Sequence, residues 1–273
     1  MAESDLRLPA RIASALVLGT LVILAEIAGG IWFNITVVLM GSVAAFEWAR
    51  VTGRADVAAD GPGRFPLAMA TGMLGAVVAI ALLDQGAAVE AQLAVIVVGA
   101  LVAGIIDGTR GARWGWTIVG VLVIAATMLA IAWLRQPGIW PLIWLFAVVW
   151  GSDIGALAVG RTFGGPRLWP RVSPNKRWSG VLGGVALASV ASVAVGLGGG
   201  MNTDIPLLAF SGVLVSVFAQ CGDLAESAWK RHFGVKDSGA IIPGHGGVID
   251  RVDGLAVAAL LVAILSGWTG IFA

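Results

Sequence analysis

The sequence is poor in charge, cysteine and histidine, and it contains no tyrosine. Charged residues make up only 12% of its 273 residues, against about a quarter in a typical soluble domain, so a soluble fold is not expected. The single Cys221 excludes an internal disulfide and a cysteine metal cluster, and two histidines are too few for a histidine-rich metal site. With a net charge of +1, the composition gives no reason to expect nucleic acid as a partner.

Apolar residues, glycine and tryptophan dominate instead. The hydrophobic share is 58%, the mean hydropathy is +0.93, and there are 39 Gly and 12 Trp, which is typical of helices that pack closely in lipid. A bilayer span needs about 20 mostly apolar residues, and nine runs of roughly this length predict an all-α, polytopic integral membrane protein. The predicted spans are approximately residues 12–29, 31–48, 65–83, 91–106, 114–134, 139–160, 180–198, 205–220 and 254–272.

The number and orientation of the spans follow from length and from the positive charges. The first two runs are continuous and are split at Gly29-Gly30, because one helix of that length would overshoot the bilayer. Eight spans, with one early run re-entrant, are the alternative. With the N-terminus inside, nine spans leave 16 of the 17 Lys and Arg on the cytoplasmic side and only Arg135 outside. We expect one membrane domain, residues 1–273, with a short tail at 1–11 and a retained first span.

Two polar segments, residues 161–179 and 222–253, interrupt the apolar pattern and are where we expect chemistry. In the second, continuation of the eighth span as a helix places Asp223, Ser227 and Lys230 on one face. Glu226 and Lys230 also form an i, i+4 pair. A charge-paired helix end at the membrane surface is the simpler interpretation of these residues.

The glycines that follow favour a binding site over a plain helix end. Gly244, Gly246 and Gly247 surround His245, and successive glycines let backbone N–H groups converge on an anion. Asp223 and Asp250 offer the oxygen ligands that Mg²⁺ prefers, for one ion or for a pair. The positive residues around this segment are Lys230, Arg231, Lys236 and Arg251. The pattern therefore predicts metal-dependent phosphoryl or nucleotidyl transfer.

The first polar segment follows Asp153, a carboxylate near the predicted cytoplasmic end of span six. Intramembrane carboxylates are costly and usually face a polar cavity. The positive residues that follow, which are either phosphate ligands or simply topological signals, are Arg161, Arg167, Arg171, Lys176 and Arg177. Ser173-Pro174 predicts either a turn that directs Lys176 toward a phosphate or the start of a helix.

The run SAWKRHFGVKDSGAIIPGHGGVIDRVD, residues 227–253, closely resembles the signature of phosphatidate cytidylyltransferases, also called CDP-diacylglycerol synthases. Residues 153–180 resemble the second, weaker motif of that family, and Glu47 in AAFEWARV resembles a family glutamate at the end of the second span. The positions that depart from the family pattern are Leu157, Asn175, Arg177, Ser179 and Trp229. The similarity covers most of the C-terminal half, whereas the N-terminal half matches mainly in hydropathy.

The resemblance implies a Mg²⁺-dependent enzyme that joins CTP to phosphatidic acid, giving CDP-diacylglycerol and pyrophosphate in phospholipid biosynthesis. It implies a multi-pass protein of the bacterial inner membrane with cytoplasmic active-site loops, and by analogy a homodimer, for which Gly180 and Gly184 offer a small-residue packing pair within or between chains. The residues implied as catalytic are Asp223, Lys230, Arg231 and Asp250, of which Asp223 and Asp250 bind metal. Those implied as substrate-binding are Asp153, Ser173, Lys176, Ser227, Lys236, Asp237, His245, Gly246, Gly247 and Arg251.

Two other functions compete with this interpretation. A CTP-dependent lipid kinase of the polyprenol or phytol type would transfer the γ-phosphate to an alcohol and release CDP instead of pyrophosphate. An ion-coupled transporter would use Asp153, Asp223 and Asp250 as intramembrane ligands. The transporter is disfavoured because the carboxylates cluster at predicted span ends beside glycine-rich loops.

Overall fold

A computed structural model describes residues 17, 19–53, 67–110, 113–201, 204–241 and 246–269 of the chain. This part contains nine helices, in the order and near the positions predicted from hydropathy, so the all-α membrane fold is confirmed. Seven of them, α2 to α8, are long and apolar enough to cross a bilayer. The helices are α1 (Gly19–Ala28), α2 (Gly30–Thr52), α3 (Leu67–Asp84), α4 (Val89–Thr109), α5 (Trp114–Arg135), α6 (Trp140–Phe163), α7 (Trp178–Gly198), α8 (Ile205–His232) and α9 (Ile249–Thr269).

The boundary predicted inside the first apolar run is confirmed. Helix α1 ends at Ala28 and α2 begins at Gly30, and the φ angles of Gly29 and Gly30 are +62° and +48°. These angles lie in the left-handed region, which glycine enters without the steric cost that a Cβ atom brings. The two glycines therefore separate what would otherwise be one long helix.

By its contacts the chain divides into two compact units. Within the described residues, the first unit holds residues up to 133 together with 237–251, that is, α1 to α4, nearly all of α5 and the first residues of α9. Helices α3 and α4 come close enough that a Cβ on Gly75 would lie 3.1 Å from the Val95 carbonyl oxygen. The Trp48 indole N–H donates to the Trp116 carbonyl over 2.9 Å and so ties α2 to α5.

The second unit holds residues 134–236 and α9 from Val252 onward. Helices α6 and α7 are in intimate contact, since a Cβ on Gly155 would lie only 2.4 Å from the Gly183 carbonyl oxygen. Gly180 and Gly184 lie against α6 as well, with the Ala156 and Ser152 carbonyl oxygens 2.8 Å from their Cβ positions. The small-residue pair predicted from the sequence is thus used for packing within the chain.

The segment between α6 and α7 is a β-hairpin, which the sequence did not predict. Strands β1 (Arg167–Trp169) and β2 (Ser173–Arg177) pair antiparallel, with Arg167 opposite Arg177 and Trp169 opposite Ser173. The predictions of a turn or a helix start at Ser173-Pro174 are both wrong. Pro174 lacks a backbone donor, but a strand in a two-stranded hairpin has a free edge and tolerates this loss.

Candidate active site

Helix α8 continues well beyond its apolar part and carries the first group of predicted site residues. It ends only at His232, so Asp223, Ser227 and Lys230 do lie on a continuous helix. The Lys230 ammonium is 2.9 Å from Glu226 Oε1, and their side chains are only 13% and 8% exposed. The Ser227 hydroxyl is 3.5 Å from Asp223 Oδ1. The predicted i, i+4 ion pair is confirmed, and it fixes the Lys230 side chain.

The hairpin brings a second lysine to this helix. Lys176 Nζ, on β2, is 2.7 Å from Asp223 Oδ2 on α8. Asp253, on α9, interacts electrostatically with Asp223, with Asp153 on α6 and with Lys176. Of the predicted residues, Lys176 and Asp223 are in direct contact, and Asp153 shares with them an electrostatic interaction with Asp253, which was not predicted as a site residue.

In the first unit, the described ends of the glycine-rich loop, residues 238–241 and 246–248, supply the partners of Asp250, the second residue of α9. The Ser238 N–H donates to both carboxylate oxygens, at 3.1 Å to Oδ1 and 3.0 Å to Oδ2, and the Gly247 N–H donates to Oδ2 at 2.9 Å. Gly246 has a φ of +83°, and a Cβ there would lie 2.7 Å from Asp250 Oδ2. In this loop the backbone N–H groups converge on an acidic side chain of the chain itself.

Glu47 belongs to the same loop cluster and was not among the predicted site residues. It lies on α2, its side chain is buried, and its carboxylate accepts hydrogen bonds from the Ser238 hydroxyl and from the N–H groups of Val248 and Ile249. Its signals in the sequence were the resemblance of AAFEWARV to a family motif and a lone carboxylate inside an apolar run. That pattern shows that a polar partner exists without showing which one.

The remaining predicted residues lie in more open positions. The Arg231 guanidinium donates to the Val235 carbonyl over 3.2 Å, and Lys236, Asp237 and Arg251 are exposed. Ser173 is half-buried at the start of β2. His245 lies outside the described residues.

The donor chemistry of the two predicted metal ligands, Asp223 and Asp250, fits a hard divalent cation. Both side chains are carboxylates, and carboxylate oxygens are the ligands that Mg²⁺ takes. Among the residues that the structure describes, no three His, Cys, Asp or Glu side chains form a ligand group by themselves. Mg²⁺ does not require such a group, because it usually takes one or two carboxylates and completes its shell with water and substrate phosphates.

Comparison with known proteins identifies the family. The model of the cytidylyltransferase family matches residues 9–268, almost the whole chain. The chain belongs to this family. A protein of Brucella suis named phosphatidate cytidylyltransferase is 39% identical over 267 residues, which covers 93% of this chain and 92% of that protein. One of the same name from Staphylococcus haemolyticus is 43% identical over 131 residues, 48% of this chain and 50% of that protein.

Two departures from the cytidylyltransferase pattern have a local role in this chain. The Arg177 guanidinium donates to the Gly165 carbonyl over 3.1 Å, and the Ser179 hydroxyl donates to the Gly164 carbonyl. Gly164 and Gly165 have positive φ angles of +65° and +95°, respectively, where the chain leaves α6. Arg177 and Ser179 therefore close the hairpin that holds Lys176.

Proposed function

We propose that this chain transfers CMP from CTP to phosphatidic acid, giving CDP-diacylglycerol and pyrophosphate. The observation that carries the proposal is the 39% identity over nearly the full length of proteins named phosphatidate cytidylyltransferase. Two lysine–carboxylate pairs support the proposal: Lys230–Glu226 within α8, and Lys176–Asp223 between the hairpin and α8. A transfer between phosphates needs positively charged groups to neutralise the phosphate charge.

The reaction does not require a strong general base from the protein. A phosphate oxygen of phosphatidate attacks the α-phosphorus of CTP, the bond between the α-phosphorus and the bridging oxygen breaks, and pyrophosphate leaves. A phosphomonoester has a second pKa near 6, as phosphoamino acids do, so it is already mostly dianionic at neutral pH and needs no strong base. Catalysis then depends on orientation and on charge neutralisation.

Two lysines are suited to hold phosphates in this reaction. Lys230 is fixed by Glu226 and Lys176 by Asp223, so both ammonium groups are held in place before substrate arrives. Each keeps donor capacity, because an ammonium group has three N–H donors. Arg231, Lys236 and Arg251 add positive charge that is exposed to solvent.

In this proposal Asp223 and Asp250 hold Mg²⁺, either one ion or a pair. The chemistry that Mg²⁺ supplies when bound is neutralisation of the triphosphate and of the departing pyrophosphate. Asp153, Ser173, Ser227, Asp237, His245, Gly246 and Gly247 complete the substrate site. We further propose a cytoplasmic orientation of these loops in a bacterial inner membrane, and a homodimeric assembly.

The test is to incubate purified, detergent-solubilised protein with CTP, Mg²⁺ and phosphatidate, and to quantify pyrophosphate, CDP and the lipid product by mass. We expect pyrophosphate and CDP-diacylglycerol in equal amounts, abolished by chelator and by Asp223→Asn. Release of CDP, with a phosphorylated alcohol when a polyprenol replaces phosphatidate, would move the assignment to a lipid kinase. Turnover of Asp250→Asn near that of the parent at saturating Mg²⁺ would contradict the metal assignment.

A further inference from the structure

Glu47 is a carboxylate in a membrane helix, and it accepts hydrogen bonds from three residues about two hundred positions later in the chain. Oε1 accepts the Val248 N–H at 2.9 Å, and Oε2 accepts the Ile249 N–H at 3.0 Å and the Ser238 hydroxyl at 3.1 Å. The side chain is 1% exposed. A buried carboxylate is costly unless hydrogen bonds compensate for its lost hydration, and this loop supplies them.

The loop is shaped to admit this carboxylate closely. A Cβ on Gly239 would lie 2.7 Å from Glu47 Oε1, and a Cβ on Gly247 would lie 2.5 Å from Oε2 and 2.1 Å from the Ser238 hydroxyl oxygen. Any side chain at either glycine would displace the carboxylate or the loop. The two glycines and Glu47 therefore form one contact.

The same short segment also holds Asp250. Three successive N–H groups divide between the two carboxylates, since Gly247 donates to Asp250 whereas Val248 and Ile249 donate to Glu47. Ser238 bridges the pair, donating its N–H to Asp250 and its hydroxyl to Glu47. A shift of the Glu47 carboxylate consequently moves the donors that orient Asp250.

We propose that Glu47 is a positioning residue, which anchors Ser238 and residues 247–249 and thereby sets the orientation of the Asp250 carboxylate. The inference rests on the proposed function, in which Asp250 binds Mg²⁺ and the loop binds substrate. Groups that orient a metal ligand typically affect metal affinity or activity about 10- to 100-fold when they are removed.

The first variant is Glu47→Gln. An amide has only one acceptor oxygen, so in either orientation its NH₂ group faces the N–H of Val248 or of Ile249, and one hydrogen bond is lost. We expect amide hydrogen exchange to become at least about 10-fold faster at Val248 or at Ile249, whichever of the two loses the hydrogen bond that protects it. We also expect turnover to fall about 10- to 100-fold, with a higher Mg²⁺ concentration for half-activation.

A matched control lies on the same helix. Asn34 is buried on α2 and donates to Asp84 Oδ2 over 2.8 Å, so Asn34→Ala also removes a partly buried side-chain hydrogen bond but leaves the loop untouched. We expect this variant to keep the parent turnover, the parent Mg²⁺ requirement and the parent exchange rates at Val248 and Ile249. A general loss of stability would affect both variants alike.

Gly239→Ala tests the same contact without changing the carboxylate. Its methyl group should displace Glu47, so its exchange and Mg²⁺ phenotype should match that of Glu47→Gln, and the double variant should be no worse than either single one. If Glu47→Gln fails to fold, Gly239→Ala carries the test.

The proposal is overturned if both variants that fold behave like Asn34→Ala in exchange and in Mg²⁺ dependence. That result leaves the proposed function intact whenever the parent protein makes CDP-diacylglycerol. Conversely, a parent protein without transferase activity would refute the proposed function, while the exchange measurement would still report whether Glu47 anchors the loop.

Discussion

Replacing Lys176 with Met separates the catalytic use of an ion pair from its contribution to stability. Lys176 Nζ lies 2.7 Å from Asp223, but the two side chains are 23% and 36% exposed. At this distance the Coulomb attraction in a fully aqueous environment is about 1.5 kcal/mol, and ordering the lysine side chain costs an amount of similar size. Exposed pairs accordingly contribute about 0–1 kcal/mol. We expect Lys176→Met to lower the melting temperature by no more than about 4 °C.

The expected effect on catalysis is much larger. If Lys176 holds a phosphate that gains charge in the transition state, its removal should cost about 100- to 1,000-fold in kcat/KM, the range found for single preorganised donors. Lys176→Arg should recover part of this loss because it restores the charge without the compact ammonium geometry.

The assay measures CDP-diacylglycerol formation in mixed micelles alongside thermal unfolding of the same preparations. Arg171→Met is the matched control, since Arg171 is an exposed cation of the same hairpin, and it should leave kcat/KM within about 3-fold, as expected for a surface charge. A Lys176→Met protein with parental kcat/KM would refute the role of Lys176. A melting temperature lowered by far more than 4 °C would refute the stability argument.

Three further predictions concern packing and buried polar groups. Gly183→Ala should destabilise the protein by about 1–3 kcal/mol in denaturant unfolding, because its methyl group would clash with the Val159 side chain. Gly198→Ala on the same helix is the control: its methyl group would meet nothing within 4 Å, so unfolding in denaturant should be unchanged. Ser216→Ala should cost about 0.5–1.5 kcal/mol in thermal unfolding, because the buried Ser216 hydroxyl is 2.8 Å from Ser152 and 3.1 Å from the Gln220 amide; a stability equal to the parent would contradict this network. Glu226→Gln should cost about 3 kcal/mol, more than Asp223→Asn, since the Glu226–Lys230 pair is less exposed than the Lys176–Asp223 pair; equal losses would refute the burial argument.

The helices could be predicted from the sequence because a bilayer imposes both length and hydropathy on each span. The ends of the helices were harder to predict from hydropathy. Helix α8 continues to His232 through a polar stretch, where i, i+4 pairing replaces hydropathy as the signal. The hairpin gave no usable pattern, because β1 has three residues and β2 has five, including a proline. Its shape depends on the positive φ angles of Gly164 and Gly165 and on hydrogen bonds from Arg177 and Ser179.

The site residues divide in the same way. Lys176 and Asp223 could be named from the sequence because their charges are unusual in an apolar chain, although their direct pairing required the hairpin. Glu47 carried the same signal, but two of the three groups that donate to it are backbone N–H groups, which every residue except proline possesses. When a side chain bonds to backbone groups, the residue types of its partners are not constrained, so the sequence gives no sign of which residues they are. Its partner can therefore be found only from the fold, and its importance only by changing the carboxylate and the facing glycine separately.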